Sequence, residues 1–221
     1  MKKQFLLFLF SILTFSIYAQ SNSIGVFGGL NVSNANVSVT KTENPDGNIG
    51  FNRKSLIGFV GGLKYQRVFN IPFVLDVEMI MNQLGYQVHY DKIEPNEHVV
   101  VVNQVDKEII RYNYISIPIL FGYKVGDVLS VTPKIGFQSS YLINGVSMSN
   151  TGNNDMDLKH HNRFDLAGVV ELELGYMLYE NWGVFACCDG MYSFTNYMKT
   201  KNDDLWRHYL FSTFCGVKYS F

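Results

Sequence analysis

Apolar and polar positions alternate with a period of two along most of this chain. Over residues 164–178, Phe164, Leu166, Val170, Leu172, Leu174, Tyr176 and Leu178 share one parity, and Asp165, Glu171 and Glu173 share the other. Ile115, Ile117, Ile119, Phe121 and Tyr123 are offset in the same way from Ser116, Gly122 and Lys124. Near the end, Tyr209, Phe211, Val217, Tyr219 and Phe221 oppose His208, Ser212 and Lys218. Successive side chains of a strand point to opposite faces, so each segment reads as a strand with one apolar and one mixed-polar side. Long helical periodicity does not occur. The pattern predicts eight strands, over residues 23–34, 55–67, 73–90, 109–125, 128–143, 163–178, 182–195 and 208–221.

The connections sharpen this. Residues 68–72, 126–127 and 179–181 form short turns, whereas 35–54, 91–108, 144–162 and 196–207 are long and polar. Short and long alternate strictly. Transmembrane barrels have short periplasmic turns and longer extracellular loops. The expected fold is therefore all-β: an eight-stranded antiparallel up-and-down transmembrane β-barrel with both termini in the periplasm. A soluble barrel has the same two faces with the apolar one turned inward. Two features favour the membrane arrangement. The polar parity carries glycines (Gly58, Gly62, Gly122, Gly136, Gly175, Gly216), which a narrow crowded interior needs. Aromatics also gather at strand ends: Tyr65, Phe73, Tyr123, Trp182, Tyr219 and Phe221 at one rim, Tyr141, Phe164, Tyr192 and Phe194 at the other.

Composition agrees. Of 221 residues, 15% are aromatic and only 17% charged, against about 25% charged in soluble domains. A net charge of −1 gives no electrostatic case for nucleic acid. Lys2 and Lys3, the apolar run 5–15 and the small residue Ala19 read as a signal peptide over residues 1–19, leaving a barrel domain over 20–221. That run is too short to span a bilayer as a helix, and no other segment approaches the ~20 apolar residues required. No Cys follows Ala19, which argues against a lipoprotein.

Several segments resemble the PorT-like outer-membrane β-barrel proteins of the Bacteroidota, a family of small OmpA-like barrels. Gly28-Gly29-Leu30-Asn31-Val32-Ser33 is similar to that family's first strand. Glu78-Met79-Ile80-Met81-Asn82-Gln83-Leu84-Gly85 resembles its third, with Met81 where Tyr is usual. Tyr114-Ile115-Ser116-Ile117-Pro118-Ile119-Leu120 and Val131-Thr132-Pro133-Lys134-Ile135-Gly136 resemble the next two. Gly216-Val217-Lys218-Tyr219-Ser220-Phe221 carries a terminal aromatic, which the resemblance implies is read by the barrel-assembly machinery. The resemblance implies an outer-membrane barrel in a Gram-negative cell. Some members serve type IX secretion and gliding; the family is defined by its barrel, and fold does not dictate function.

Candidate chemistry lies on the polar parity. Lys64, Asp76, Glu78, Lys124, Lys134, Glu171, Glu173, Asp189 and Lys218 would all face the lumen. They read either as an ion path or as a salt-bridge plug, and small barrels fill their interiors with side chains. Strand neighbours suggest Lys64 and Lys124 with Asp76 and Glu78, Lys134 with Glu171 and Glu173, and Asp189 with Lys218. His160 and His161 stand near Asp155 and Asp157 in a long loop. Their spacing matches no standard metal site, so no metal or cofactor is expected. His208, Ser212, Asp203 and Asp204 near the outer rim form no recognisable nucleophile–base motif. Pro118 and Pro133 are expected to lie next to each other across the fourth and fifth strands, which suggests a bulge there. Cys188 and Cys215 fall at similar heights on neighbouring strands, either bridged or as small apolar residues facing lipid.

The expected function is non-enzymatic: a structural or partner-binding barrel acting through its loops or periplasmic rim. Its expected partners are outer-membrane lipid, the barrel-assembly machinery and an envelope protein. The rivals are a rim enzyme acting on lipid or peptide and a soluble periplasmic ligand-binding barrel.

Overall fold

The computed structural model describes residues 19–38, 51–69, 72–90, 107–149, 152–199 and 205–221. The segment 1–18, which carries most of the expected signal peptide, lies outside them, as do Asp203 and Asp204. The strands are β1 (Ala19–Ser38), β2 (Phe51–Phe69), β3 (Phe73–Tyr90), β4 (Lys107–Tyr123), β5 (Leu129–Ser149), β6 (Gly152–Asp155), β7 (Phe164–Met177), β8 (Trp182–Ser193) and β9 (Leu205–Ser220). Every pairing is antiparallel. Eight strands run β4-β3-β2-β1-β9-β8-β7-β5, and a further β4–β5 pairing closes them into a barrel. The short β6 only extends β5 at the outer end. All eight expected strands are present.

Several strands run further outward than the apolar pattern reaches. β1 continues to Ser38, β2 begins at Phe51, and β5 continues to Ser149. A hydrogen-bonded ladder does not require apolar side chains, so pairing persists where the polar sequence had suggested loop. Within the loop expected over 144–162, β6 and a single 3-10 turn at Leu158–His160 add structure that alternation does not signal.

The faces are those of a membrane barrel. Ile24, Leu30, Ile57, Phe59, Ile117, Phe137, Leu172 and Phe211 are exposed on the outside, while Lys64, Asp76, Glu78, Lys134, Glu171 and Glu173 are buried inside. With no water in hydrocarbon, backbone groups must pair within the protein, and a closed barrel of strands does this. Girdle aromatics pack in pairs at the short-turn rim: Phe73 with Tyr123 at 5.8 Å, and Trp182 with Tyr219 at 5.2 Å between ring centroids.

Two expectations about strand details fail. Pro118 faces Gln138 on β5, and Pro133 faces Leu172 on β7, so the prolines are not neighbours. The β4–β5 irregularity lies instead at Asn113/Tyr114. Each proline forgoes one ladder donor without shifting the register. Cys188 pairs with Thr213, and Cys215 with Ala186. The two cysteines are therefore diagonal rather than opposed, and all three thiols are free.

Phe221 extends the β1–β9 seam by one further pair of bonds. The Asn22 amide donates to the Phe221 carbonyl at 3.1 Å, and the Phe221 amide donates to the Asn22 carbonyl at 2.8 Å. Deleting Phe221 removes both bonds and an exposed aromatic at the periplasmic rim. The expected outcome is normal export with a reduced folded fraction, read from heat-modifiable migration on SDS gels. A deletion variant as heat-modifiable as wild type would contradict this role.

Candidate functional site

The inward parity stacks three tiers of side chains along the lumen. Nearest the periplasm is an ion network. Lys64 on β2 reaches across the barrel to β7, with its Nζ 3.2 Å from Glu171 and 3.0 Å from Glu173. The same ammonium lies 2.9 Å from Glu78 and 3.5 Å from Asp76 on β3. Lys134 on β5 contacts Asp76, Glu173 and, at 2.7 Å, Glu171. Lys218 on β9 donates to Glu173 at 2.8 Å and to Gln66 at 3.2 Å. Three ammonium groups thus meet four carboxylates, all of them nearly excluded from solvent. In such a place an unpaired charge costs several kcal/mol, so mutual pairing is the condition for burying any of them.

Apolar and small neighbours shape this tier. Phe27, Phe185 and Phe214, from β1, β8 and β9, pack together beside it. The Lys64 ammonium sits 4.9 Å from the centre of the Phe185 ring, a cation–π distance. Glycine makes room for the lysine stems. A Cβ at Gly122 would fall 2.6 Å from Lys134 Cγ, and one at Gly175 would fall 3.4 Å from Lys218 Nζ.

The middle tier is hydroxyl and amide. Asp165 accepts from Ser193 at 2.6 Å and from Thr195. Ser116 donates to Ser140 at 2.9 Å, and Gln138 donates to Ser140 at 3.0 Å. Asp189 accepts from the Ser212 amide at 3.1 Å.

The outer tier is aromatic. His208 is wholly buried, stacked on Tyr197 at 4.0 Å and edge-on to Tyr112 at 5.5 Å and Tyr114 at 6.2 Å. Tyr197 comes from the β8–β9 connection, and its hydroxyl donates to that of Tyr86 at 3.3 Å. His161, between the 3-10 turn and β7, shares a 3.2 Å hydrogen bond with the Tyr112 hydroxyl through Nε2. Burial lowers the His161 imidazole from its ordinary pKa. Two outer connections therefore each lower a ring into the barrel mouth.

Of the nine lumen charges read from the sequence, eight are buried inside: Lys64, Asp76, Glu78, Lys134, Glu171, Glu173, Asp189 and Lys218. Lys124 is not among them. It follows the end of β4, only partly buried, and that burial together with the nearby Lys218 ammonium lowers its pKa from the usual lysine value. The expected Asp189–Lys218 pair does not form. Lys218 stands opposite Gly183, and Asp189 opposite Ser212, roughly 20 Å apart along the strand at ~3.3 Å per residue. Neighbouring strands alone do not make a pair; height in the barrel decides it. Inward aromatics such as Tyr112, Tyr114, Phe185 and Phe214 are the residues the sequence reading missed. Counting parity from Ser116 would have turned Tyr112 and Tyr114 inward.

The other candidates disperse. Asp157 caps the 3-10 turn, accepting from the Lys159 amide at 3.0 Å, while His161 turns into the lumen and His160 is exposed. The carboxylate groups near Cys187 and Glu78 are close enough to surround an ion, but Lys64 and Lys134 already supply that positive charge. His208 has no carboxylate against its ring among the described residues; its neighbours there are the rings of Tyr112, Tyr114 and Tyr197. Ser212, four residues on, lies about 13 Å away along the strand.

Comparison with known proteins supports the architecture. The family described as the outer membrane protein beta-barrel domain matches residues 18–199. No curated protein matches the chain. The solved outer membrane protein OprG from Pseudomonas aeruginosa is 11% identical, with a TM-score of 0.51 over 92% of this chain and 97% of that one. Neisserial surface protein A is 14% identical, with a TM-score of 0.45 over 90% and 97%. The outer membrane protease OmpT from Escherichia coli is 11% identical, with a TM-score of 0.45 over 91% and 96%. At 11% identity the likeness to OprG speaks for fold alone.

The ion network yields a direct expectation. Lys134→Met keeps the stem but leaves Asp76, Glu171 and Glu173 short of a counter-charge. Stability should fall by ~3–5 kcal/mol, read as a lower urea midpoint in lipid or detergent. Lys124→Met, outside the network, should change it by no more than about 0.5 kcal/mol.

Proposed function

Because the chain belongs to the outer membrane protein β-barrel domain family and lies in the outer membrane of a Gram-negative cell, we propose that it is a non-conducting, non-enzymatic barrel whose outer loops or periplasmic rim bind a partner. The observation that carries this reading is the bridging of the lumen from wall to wall. Lys64 ties β2 to β7 directly across the barrel, and the Tyr197–His208 stack fills the outer mouth. An eight-stranded barrel has an interior just wide enough for side chains. Ion pairs at one end and packed rings at the other, among the described residues, support a lumen without a continuous water path for a solute.

Such a barrel offers the cell a rigid mount. The parts left free to act are the outer connections and the periplasmic rim. The resemblance to PorT-like proteins makes an envelope protein of the type IX secretion system the partner class we favour, with the barrel-assembly machinery engaging the terminal Phe221. On this reading residues 1–19 are the export signal. The rim-enzyme alternative rests on His208, which is sealed beneath Tyr197 and Tyr112.

Planar-bilayer recordings test the proposal. Wild-type protein should give no large steady conductance; stable openings of porin size would replace the plug reading with transport. His208→Ala should leave lipid A composition and surface proteolysis in cells unchanged, and a change in either would restore the enzyme reading.

A further inference from the structure

The outer rim carries a second feature, independent of the lumen. A cleft of about 920 Å³ opens between the β5–β7 and β8–β9 connections. Its walls include Lys159, Arg163 and Lys199, against one acidic residue, Asp157. All three cations are exposed. Asp157 pairs loosely with Lys159 at 3.5 Å, leaving Arg163 and Lys199 without a carboxylate among the described residues.

The cleft is built rather than incidental. The Asn162 side chain donates to the Asn196 carbonyl at 2.7 Å, and the Lys199 amide donates to the His160 carbonyl at 2.8 Å. A bridge between His161 and Met198 adds a further link. These bonds zip the two connections into one wall. The Lys199 ammonium donates to the Lys159 carbonyl at 3.2 Å, and the Arg163 guanidinium donates to the Tyr141 hydroxyl at 3.4 Å. The cations are thus gathered at one spot despite their repulsion.

Position identifies the occupant. Tyr141 and Phe164 also line the cleft, face each other across β5 and β7, and point outward as girdle aromatics. A ligand held here touches the lipid boundary below and cations above. That combination suits an amphiphile with an anionic head at headgroup height. Clustered basic residues at a membrane surface attract anionic lipid heads, and the planar guanidinium fork matches phosphate oxygens. We propose that Lys159, Arg163 and Lys199 bind a phosphate group of an outer-leaflet glycolipid. The site rests on outer-membrane placement only and holds whether or not the lumen conducts.

The test uses the full chain refolded in phosphatidylcholine nanodiscs, titrated with bis-phosphorylated lipid A, dephosphorylated lipid A and inorganic phosphate. Bis-phosphorylated lipid A should bind at least tenfold more tightly than the dephosphorylated form. The combined Lys159→Gln, Arg163→Gln and Lys199→Gln variant should lose at least tenfold of that affinity while keeping its heat-modifiable band. Arg163→Lys should lose part of it, because charge remains and the fork does not. If the triple variant fails to fold, Lys199→Gln alone should still weaken binding. Equal binding of the two lipid A forms, or unchanged binding by the variants, would overturn the site. Inorganic phosphate binding as tightly as the lipid would overturn the lipid assignment.

Discussion

In hydrocarbon every backbone N–H and C=O must find its partner inside the protein, and that requirement governs this chain. Eight antiparallel strands meet it by closing on themselves, with β1 against β9. Closure turns the apolar parity outward to lipid and leaves the other parity a narrow space of its own. Polar and charged side chains then have only one another to satisfy them. The ion network of Lys64, Lys134 and Lys218, the hydroxyl tier around Ser116 and Asp165, and the ring stack at His208 are three answers to that one condition.

The outer connections belong to the same system. His161 and Tyr197 originate in loops yet lie among the buried rings. Each fixes its loop at one point, and the links between the loops fix them to each other. A basic cleft can therefore keep a defined shape on residues that are otherwise exposed. The rigidity of the rim derives from the lumen, through two side chains.

Much of this was legible in the sequence, because period-two alternation and the alternation of short and long connections are direct consequences of the fold. Parity correctly assigns Asp76, Glu171 and Lys218 to one face. Height is where the reading fails. Residues such as Asp189 and Lys218 share a face and neighbouring strands but sit at different levels, and only the strand register gives the level. Contacts across the barrel are illegible for a related reason: nothing local marks Lys64 as a partner of Glu171, 107 positions away. The inward aromatics were missed because only the charged and glycine positions of the mixed-polar side were read as lumen, whereas Phe27, Phe185 and Phe214 also pack there, beside the Lys64 ammonium.

The span of the Lys64 bridge has a consequence for the order of assembly. β2 and β7 are four strands apart in either direction around the barrel, so Lys64 cannot reach Glu171 and Glu173 until the intervening strands have paired and the sheet has curled. Until then each of these charges keeps its own hydration shell. Water must leave the lumen late, as the walls come together, and the ion pairs form in its place. A sheet closed one residue out of step would turn these side chains toward lipid or misalign them across the gap, and the network would not form. The charges at the centre thus stabilise one register of the closed barrel over its neighbours.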